Sequence, residues 1–396
     1  MNARILHGLR VVEWGGGVAA AYSGRLLAAL GADVVKVEPP EGDPLRHRGP
    51  YPPGHESPDT AGLHLYLNAG KLSVVLDAAS PSAHEQMAQL VGTADVFVTD
   101  RARAEWRAVG VEPESMRSHW PALVHVSLST FGHGDASADA PGDSLDACAA
   151  SGVAWVIGEP GRAPLAVPYE YADYQAGAQG AAAALAALLR VRRGGTGQWI
   201  DIASVDVLSA AVGSNAMLYL YESLQRYDRA GRRAFASGGL YPYVLLQCRD
   251  GSVCLVGRAR QEWQRFVEAM GSPEWTRDPR FQDLRVVGRD YPQEADALIA
   301  PWLMRHTRAE LLELAREYGF PIGPVYGMNE VTQFAQFEHR HFFPEHPHAA
   351  LGSVRLPSVP WQIQGQEQAL PQAAPLLGQH THEILPPQQE AADATA

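Results

Sequence analysis

Three cysteines in 396 residues, Cys148, Cys248 and Cys254, are too few and too scattered to staple a fold or to hold a metal by paired-thiol spacing. The chain is therefore expected to fold without disulfides or metal, in a reducing cytoplasm. No apolar run reaches membrane-spanning length, and Arg4, His7, Arg10 and Glu13 interrupt the stretch where a secretory signal would keep its apolar core. Net positive charge is missing as well. The formal charge is -12, which argues against nucleic acid or an anionic membrane as a partner. Lysine is scarcest of all: Lys and Arg total 32, and only Lys36 and Lys71 are lysine, leaving thirty arginines. The two lysines are either ordinary strand-end residues or positions that need a compact, flexible ammonium.

What is present suffices for a large core. With 46% hydrophobic residues, a chain of this length points to two domains. Leu9 to Trp14 reads as a short apolar strand, Gly15-Gly16-Gly17 as a turn, Val18 to Leu30 as a helix closed by Gly31, and Asp33 to Val37 as a second strand. Gly15, Gly17 and Ala20 match the G-x-G-x-x-G/A spacing of a dinucleotide turn, and Glu38 stands where an acid would meet a ribose. A NAD-dependent oxidoreductase is one reading of this unit. The other is that the glycines make a tight turn and admit a different ligand to the backbone.

Further strands at Leu72 to Leu76, Val96 to Val98, Leu123 to Leu128 and Trp199 to Ile202 alternate with helical stretches at Ser82 to Leu90 and Pro113 to His119. That alternation predicts an α/β fold with a parallel sheet covered by helices. From Phe235 the texture changes to strands at Tyr241 to Gln247 and Ser252 to Val256, followed by short helices through Tyr318, which predicts a smaller α+β domain. The tail 386–396 is polar and Ala-rich and is expected to be disordered.

Between Tyr169 and Gln198 alanine and leucine dominate, so a long helix is predicted. Asp173 is placed as its N-cap, kept ionised by the positive end of the helix dipole. Arg190, Arg192 and Arg193 followed by Gly194-Gly195 mark its end. Gly177, Gly180 and the run Ala181 to Ala184 carry little bulk on any face, which predicts a buried helix closely approached by another backbone.

The opening GLRVVEWGGGVAAAYSGRLLAALGADVVKVEPPEGDPLR, then LNAGKLSVVLD, ADVFVTD, LVHVSLSTFG, ADYQAG with GGTGQWIDIASVDV, and the late PIGPV and APLLGQHTHEIL resemble the family III CoA-transferases, the carnitine and formyl-CoA transferase group that also contains α-methylacyl-CoA racemase. The resemblance implies a Rossmann-like large domain, residues 1–215 completed by 325–396, a small domain at 216–324, and an interlocked homodimer. It implies CoA and acyl-CoA as substrates, a small carboxylic acid as their partner, and no permanently bound cofactor. Asp173, followed four residues later by Gly177, matches the nucleophile, and Gly238-Gly239 matches a glycine loop that lies over it. CoA contacts are implied at Gly17, Val18, Ala19, Lys71, Leu76, Asp100 and Arg101.

The implied chemistry is transfer of CoA from a thioester to an acid through an aspartyl intermediate. In the racemase a His-Asp pair precedes this helix, whereas here Gly142-Asp143 puts an acid in the histidine position, which speaks against two-base proton transfer. His133 is the candidate to replace that base. A racemase, a NAD-dependent oxidoreductase and a catalytically inactive paralogue are the alternative readings.

Overall fold

The structure is a computed structural model that describes residues 4–134, 140–213, 216–217, 220, 229, 231–233, 239–257, 259–365 and 372–385. The tail expected to be disordered and Gly238 lie outside the described residues. In chain order the first elements are β1 (Arg10–Trp14), α1 (Val18–Ala29), β2 (Asp33–Glu38), α2 (Gly62–Leu67), β3 (Leu72–Val75), α3 (Ala83–Gly92), β4 (Val96–Thr99), α4 (Arg103–Val109), α5 (Pro113–His119), β5 (Val124–Ser129), α6 (Ser144–Ala150), α7 (Val153–Val156), α8 (Tyr171–Arg192), β6 (Trp199–Ala203) and α9 (Ser204–Ala211). The chain divides into two units, 1–151 with 168–211 and 335–396, and 152–167 with 212–334. Residues 152–167, 212–213 and 325–334, assigned by the sequence reading to the large domain, therefore group with the second unit.

The first unit holds a six-stranded sheet of order β3-β2-β1-β4-β5-β6, all parallel. Alternate residues on each strand face opposite layers, as the pleat requires. Val11, Val34, Val98 and Val126 pack with α1 and α8 through Leu27, Ala176 and Ala184. Val12, Val35, Val74 and Phe97 pack on the other side with Met87, Trp106 and Met116. Because order reverses between β1 and β4, the connections leaving their carboxyl ends run to opposite faces of the sheet, α1 on one and α4 on the other, and open a crevice there, the usual ligand position in such sheets.

Helix α8 buries Ala172, Ala176, Gly180 and Ala184 together with Gly177 and Ala181, a stripe at the spacing of one helix face. A Cβ on Gly177 would lie 2.5 Å from the Ala19 carbonyl oxygen, so α1 and α8 approach to backbone contact as the small residues foretold. The opposite face is open, with Gln179, Ala182, Ala186 and Leu189 exposed. The helix is thus buried along one stripe only. Alanine on both faces hides this from the sequence, since it suits core and surface alike. Arg193 caps the C-terminus, and Gly194 follows at φ +84° in the left-handed region.

Both lysines belong to one buried ionic network. Lys36 Nζ reaches Glu13 Oε1 at 2.7 Å and Asp43 Oδ2 at 2.5 Å, and Lys71 Nζ reaches Glu13 Oε2 at 2.7 Å. Glu13, on β1, is clamped from β2 and from the turn before β3, and α1 clears it at Gly24, where a Cβ would fall 1.9 Å from Glu13 Oε2. Burial alone would push the Glu13 carboxyl up, but its two ammonium partners hold it below the usual range. The C-terminal segment returns to the outer edge of β3. His380 N–H donates to the Ser73 carbonyl at 2.9 Å, and Val75 N–H donates to Thr381 Oγ1 at 2.9 Å.

The second unit has its own antiparallel sheet of β7 (Tyr243–Cys248), β8 (Gly251–Val256) and β9 (Ile322–Pro324). Its core gathers Trp263, Phe266, Leu303 and Leu311 from the helices that follow. No helix among the described residues is long and apolar enough to cross a membrane.

Candidate active site

A cavity of about 570 Å³ opens at the carboxyl ends of β1, β4 and β5. Gly17, Val18, Ala19, Asp100, Arg101 and Asp173 all line it, so six of the sequence-derived site residues meet in one place. Lys71 and Leu76 do not. Leu76 is buried in the apolar layer under α3, and Lys71 gives its three N–H groups to Glu13, the Ala21 carbonyl and Asn68 Oδ1, which leaves none for a ligand. Gly239 belongs to the second unit, where its carbonyl packs against Gly288 so tightly that a Cβ there would be 2.0 Å away.

Asp100 settles what the glycine turn is for. Its Oδ1 accepts from Gly16 N–H at 2.8 Å, and its Oδ2 accepts from Gly17 at 3.0 Å and Ala20 at 3.3 Å. A Cβ on Gly15 would lie 2.6 Å from Oδ1, and one on Gly17 would lie 2.8 Å from Oδ2. The glycines therefore make room for a carboxylate of the chain itself, and that carboxylate fills the amide cradle a diphosphate would need. Glu38 is equally committed: Arg46 donates to both its oxygens at 2.6 and 2.7 Å and Ser73 Oγ donates at 2.6 Å, which brings the carboxyl down to about 2 despite burial. Neither half of the dinucleotide fingerprint is free to bind one. Asp100 accepts from neither Val18 nor Ala19, the two first-turn residues of α1 in the cavity lining.

Asp173 is the third residue of α8, and the N-cap is Glu170, so the expectation that Asp173 caps the helix is corrected. No hydrogen bond reaches its carboxylate among the described residues. Nor does the positive end of the dipole hold its pKa at the ordinary carboxylate value. Burial, then the nearby carboxylates of Asp100 and Asp143, push it up to about 6, and only Arg48 opposes them. Arg48 is itself engaged by Glu170. Asp143 caps α6, accepting from Leu145 at 2.8 Å and Asp146 at 3.2 Å, which accounts for an acid at that position without a proton-transfer role.

His133 is buried against Trp106, with ring centroids 4.8 Å apart, and its backbone N–H donates to Asp201 Oδ2 at 2.8 Å. The sequence reading missed the hydroxyl rim of Ser129, Thr130 and Ser204. The signal was there: all three follow or end strands of a parallel sheet, at the edge where such sheets bind ligands.

The profile of CoA-transferase family III matches residues 6–381. The chain belongs to that family. The BbsE subunit of succinyl-CoA:(R)-benzylsuccinate CoA-transferase from Thauera aromatica is 31% identical over 389 residues, covering 95% of this chain and 92% of that one. Succinyl-CoA–D-citramalate CoA-transferase from Chloroflexus aurantiacus is 29% identical over 389 residues, covering 96% and 93%. A CaiB/BaiF family protein from Brucella suis has a crystal structure that superposes with a TM-score of 0.85 at 29% identity, covering 97% of this chain and 99% of that one. This family III CoA-transferase thus handles CoA thioesters on an α/β scaffold whose crevice holds the carboxylate cluster.

Proposed function

We infer that the enzyme transfers CoA from an acyl-CoA to a free carboxylic acid through covalent intermediates on Asp173. The observation that carries this reading is a cavity-facing carboxylate that caps nothing and accepts no hydrogen bond among the described residues. A carboxylate without donors keeps its lone pairs for attack. Asp173 would add to the thioester carbonyl and expel CoA thiolate, giving a mixed anhydride. The thiolate then attacks the aspartyl carbon, releases the first acid and leaves an aspartyl-CoA thioester. An acceptor carboxylate repeats the two steps in reverse, so the acyl-CoA product departs and Asp173 is regenerated.

Each addition creates an oxyanion, and the unused amides of Val18 and Ala19 lie on the same cavity wall as candidate donors. Succinyl-CoA is the donor in the names of both relatives above and is the first donor to test. The functional particle is proposed to be an intertwined homodimer, and a stable monomer in sedimentation at low micromolar concentration would overturn that part.

Hydroxylamine tests the intermediate. Incubated with enzyme and succinyl-CoA, it should convert Asp173 to a hydroxamate that peptide mass mapping locates. Exchange into an acceptor acid with Asp173 left unmodified would refute the covalent route.

A further inference from the structure

Most of the charged groups that line the cavity of Asp173 already have partners. Asp100 holds the glycine turn, Asp143 caps α6, and Arg101 pairs with Glu105 at 3.3 Å. Two hydroxyls in the same lining are different. Ser204, the first residue of α9, is only 2% exposed, yet its Oγ keeps access to the cavity and makes no hydrogen bond among the described residues. Thr130 is half-buried, and its Oγ1 is likewise without a partner among the described residues.

The sheet sets these two residues side by side. Ser129 on β5 is in register with Ala203 on β6, and Thr130 and Ser204 are the next residues along each path. Val205 N–H donates to the Thr130 carbonyl at 3.0 Å and ties the two chain segments together just beyond the sheet. Ser129 Oγ accepts from Gly132 N–H at 2.9 Å, which fixes the turn that follows Thr130. A ligand that displaces water from this rim either supplies the hydroxyls with a partner or leaves them unmet at a cost. An oxygen accepts from them whether it belongs to a carboxylate or to a hydroxyl, whereas a methyl group does not.

We propose that Ser204 and Thr130 are specificity-determining residues of the transfer reaction, donating hydrogen bonds to an oxygen that the transferred acid carries beyond its reacting carboxyl group. The inference rests on the reading that transfer takes place at Asp173, in whose cavity both hydroxyls lie. A site built to hydrogen-bond a substrate oxygen rejects the analogue that lacks it far more strongly than an apolar pocket rejects a missing methylene. The rim therefore selects among short acids by what stands at their far end.

The test is competition among succinate, 4-hydroxybutyrate and valerate as acceptors of CoA from succinyl-CoA, with isotopically labelled succinate and products read by mass spectrometry. Valerate matches 4-hydroxybutyrate with a methyl group in place of the hydroxyl. Wild type should favour at least one of the two oxygen-bearing acids over valerate by about tenfold or more in kcat/KM, and the one favoured identifies the oxygen. Ser204→Ala and Thr130→Val should each cut that ratio about tenfold, while Thr130→Ser, which keeps the hydroxyl, should retain it. A general loss of folded enzyme lowers transfer to all three acids together and leaves the ratio where it was. Failure of the covalent reading shows separately, as exchange that persists in Asp173→Asn. Wild type that uses valerate as well as the other two, transfer to none of the three, or a ratio unchanged in folded Ser204→Ala or Thr130→Val would each overturn the proposal.

Discussion

Replacing Asp173 with asparagine should abolish transfer and stabilise the protein at the same time. The carboxyl titrates at about 6 instead of 3.8 because burial and the charges of Asp100 and Asp143 oppose its ionisation. At 1.36 kcal/mol per tenfold, that difference of about two pH units amounts to roughly 3 kcal/mol of destabilisation borne by the ionised group, less whatever water in the open cavity screens. The folded carboxyl holds its proton more tightly than the unfolded one. Wild-type stability from this group is therefore complete below pH 3.8 and declines as pH rises through 6.

Asparagine carries no such charge, so the variant should melt progressively higher than wild type between pH 4 and 7 and keep a constant advantage above that. Transfer in wild type should rise about tenfold between pH 5 and 7, as the ionised fraction grows from about one tenth to nine tenths. The assays are paired melts across pH and exchange of labelled CoA monitored by mass spectrometry. A variant that melts no higher than wild type at pH 8 refutes the electrostatic reasoning, and one that still exchanges CoA refutes the nucleophile.

Gly177→Ala should lower the melting temperature, because its Cβ would meet the immobile Ala19 carbonyl oxygen at 2.5 Å; the overpacking costs about 1–3 kcal/mol, against a helix-propensity gain of about 1. Unchanged melting would mean that α1 and α8 can separate freely. Glu13→Gln leaves two buried ammonium groups without the carboxylate between them and should cost about 3–5 kcal/mol, read as a large fall in melting temperature at pH 7. CoA should give binding heat in calorimetry while NAD gives none, since Asp100 and Arg46 occupy both halves of the dinucleotide fingerprint; tight NAD binding would sink that account.

The sheet was legible in the sequence because period-two and helical apolar patterns alternate along residues 9–128 with few interruptions, and its strands fall within one or two residues of expectation. Asp173 was singled out from the resemblance as the nucleophile, and it lines the cavity, but it was misread as a cap. The acid nearest an alanine run looks like the N-cap, and nothing in Tyr169-Glu170-Tyr171 announces that the helix starts earlier, after a Tyr169 with φ of +61°. The scarcity of lysine flagged Lys36 and Lys71, yet their shared partner Glu13 was invisible, because the Lys71 contact spans 58 residues. The same holds for Asp100, whose bond to Gly16 joins residues 84 apart. Local patterns report elements, whereas the filling of the glycine turn is a tertiary event that spacing alone does not encode.

The return of the C-terminal segment to β3 has a bearing on how the chain is made. Ser73 and His380 are 307 residues apart, so on a ribosome adding about 5–20 residues per second the outer edge of β3 stays open for roughly 15–60 s after it is synthesised. Through that interval Leu72–Val75 presents unpaired backbone groups beside an apolar layer, a template for strands of neighbouring nascent chains. The entire second unit emerges and can fold before the first is sealed. Chains arrested ahead of Gly378 are thus expected to accumulate as edge-paired aggregates, and holdase chaperones should be found on the nascent first unit.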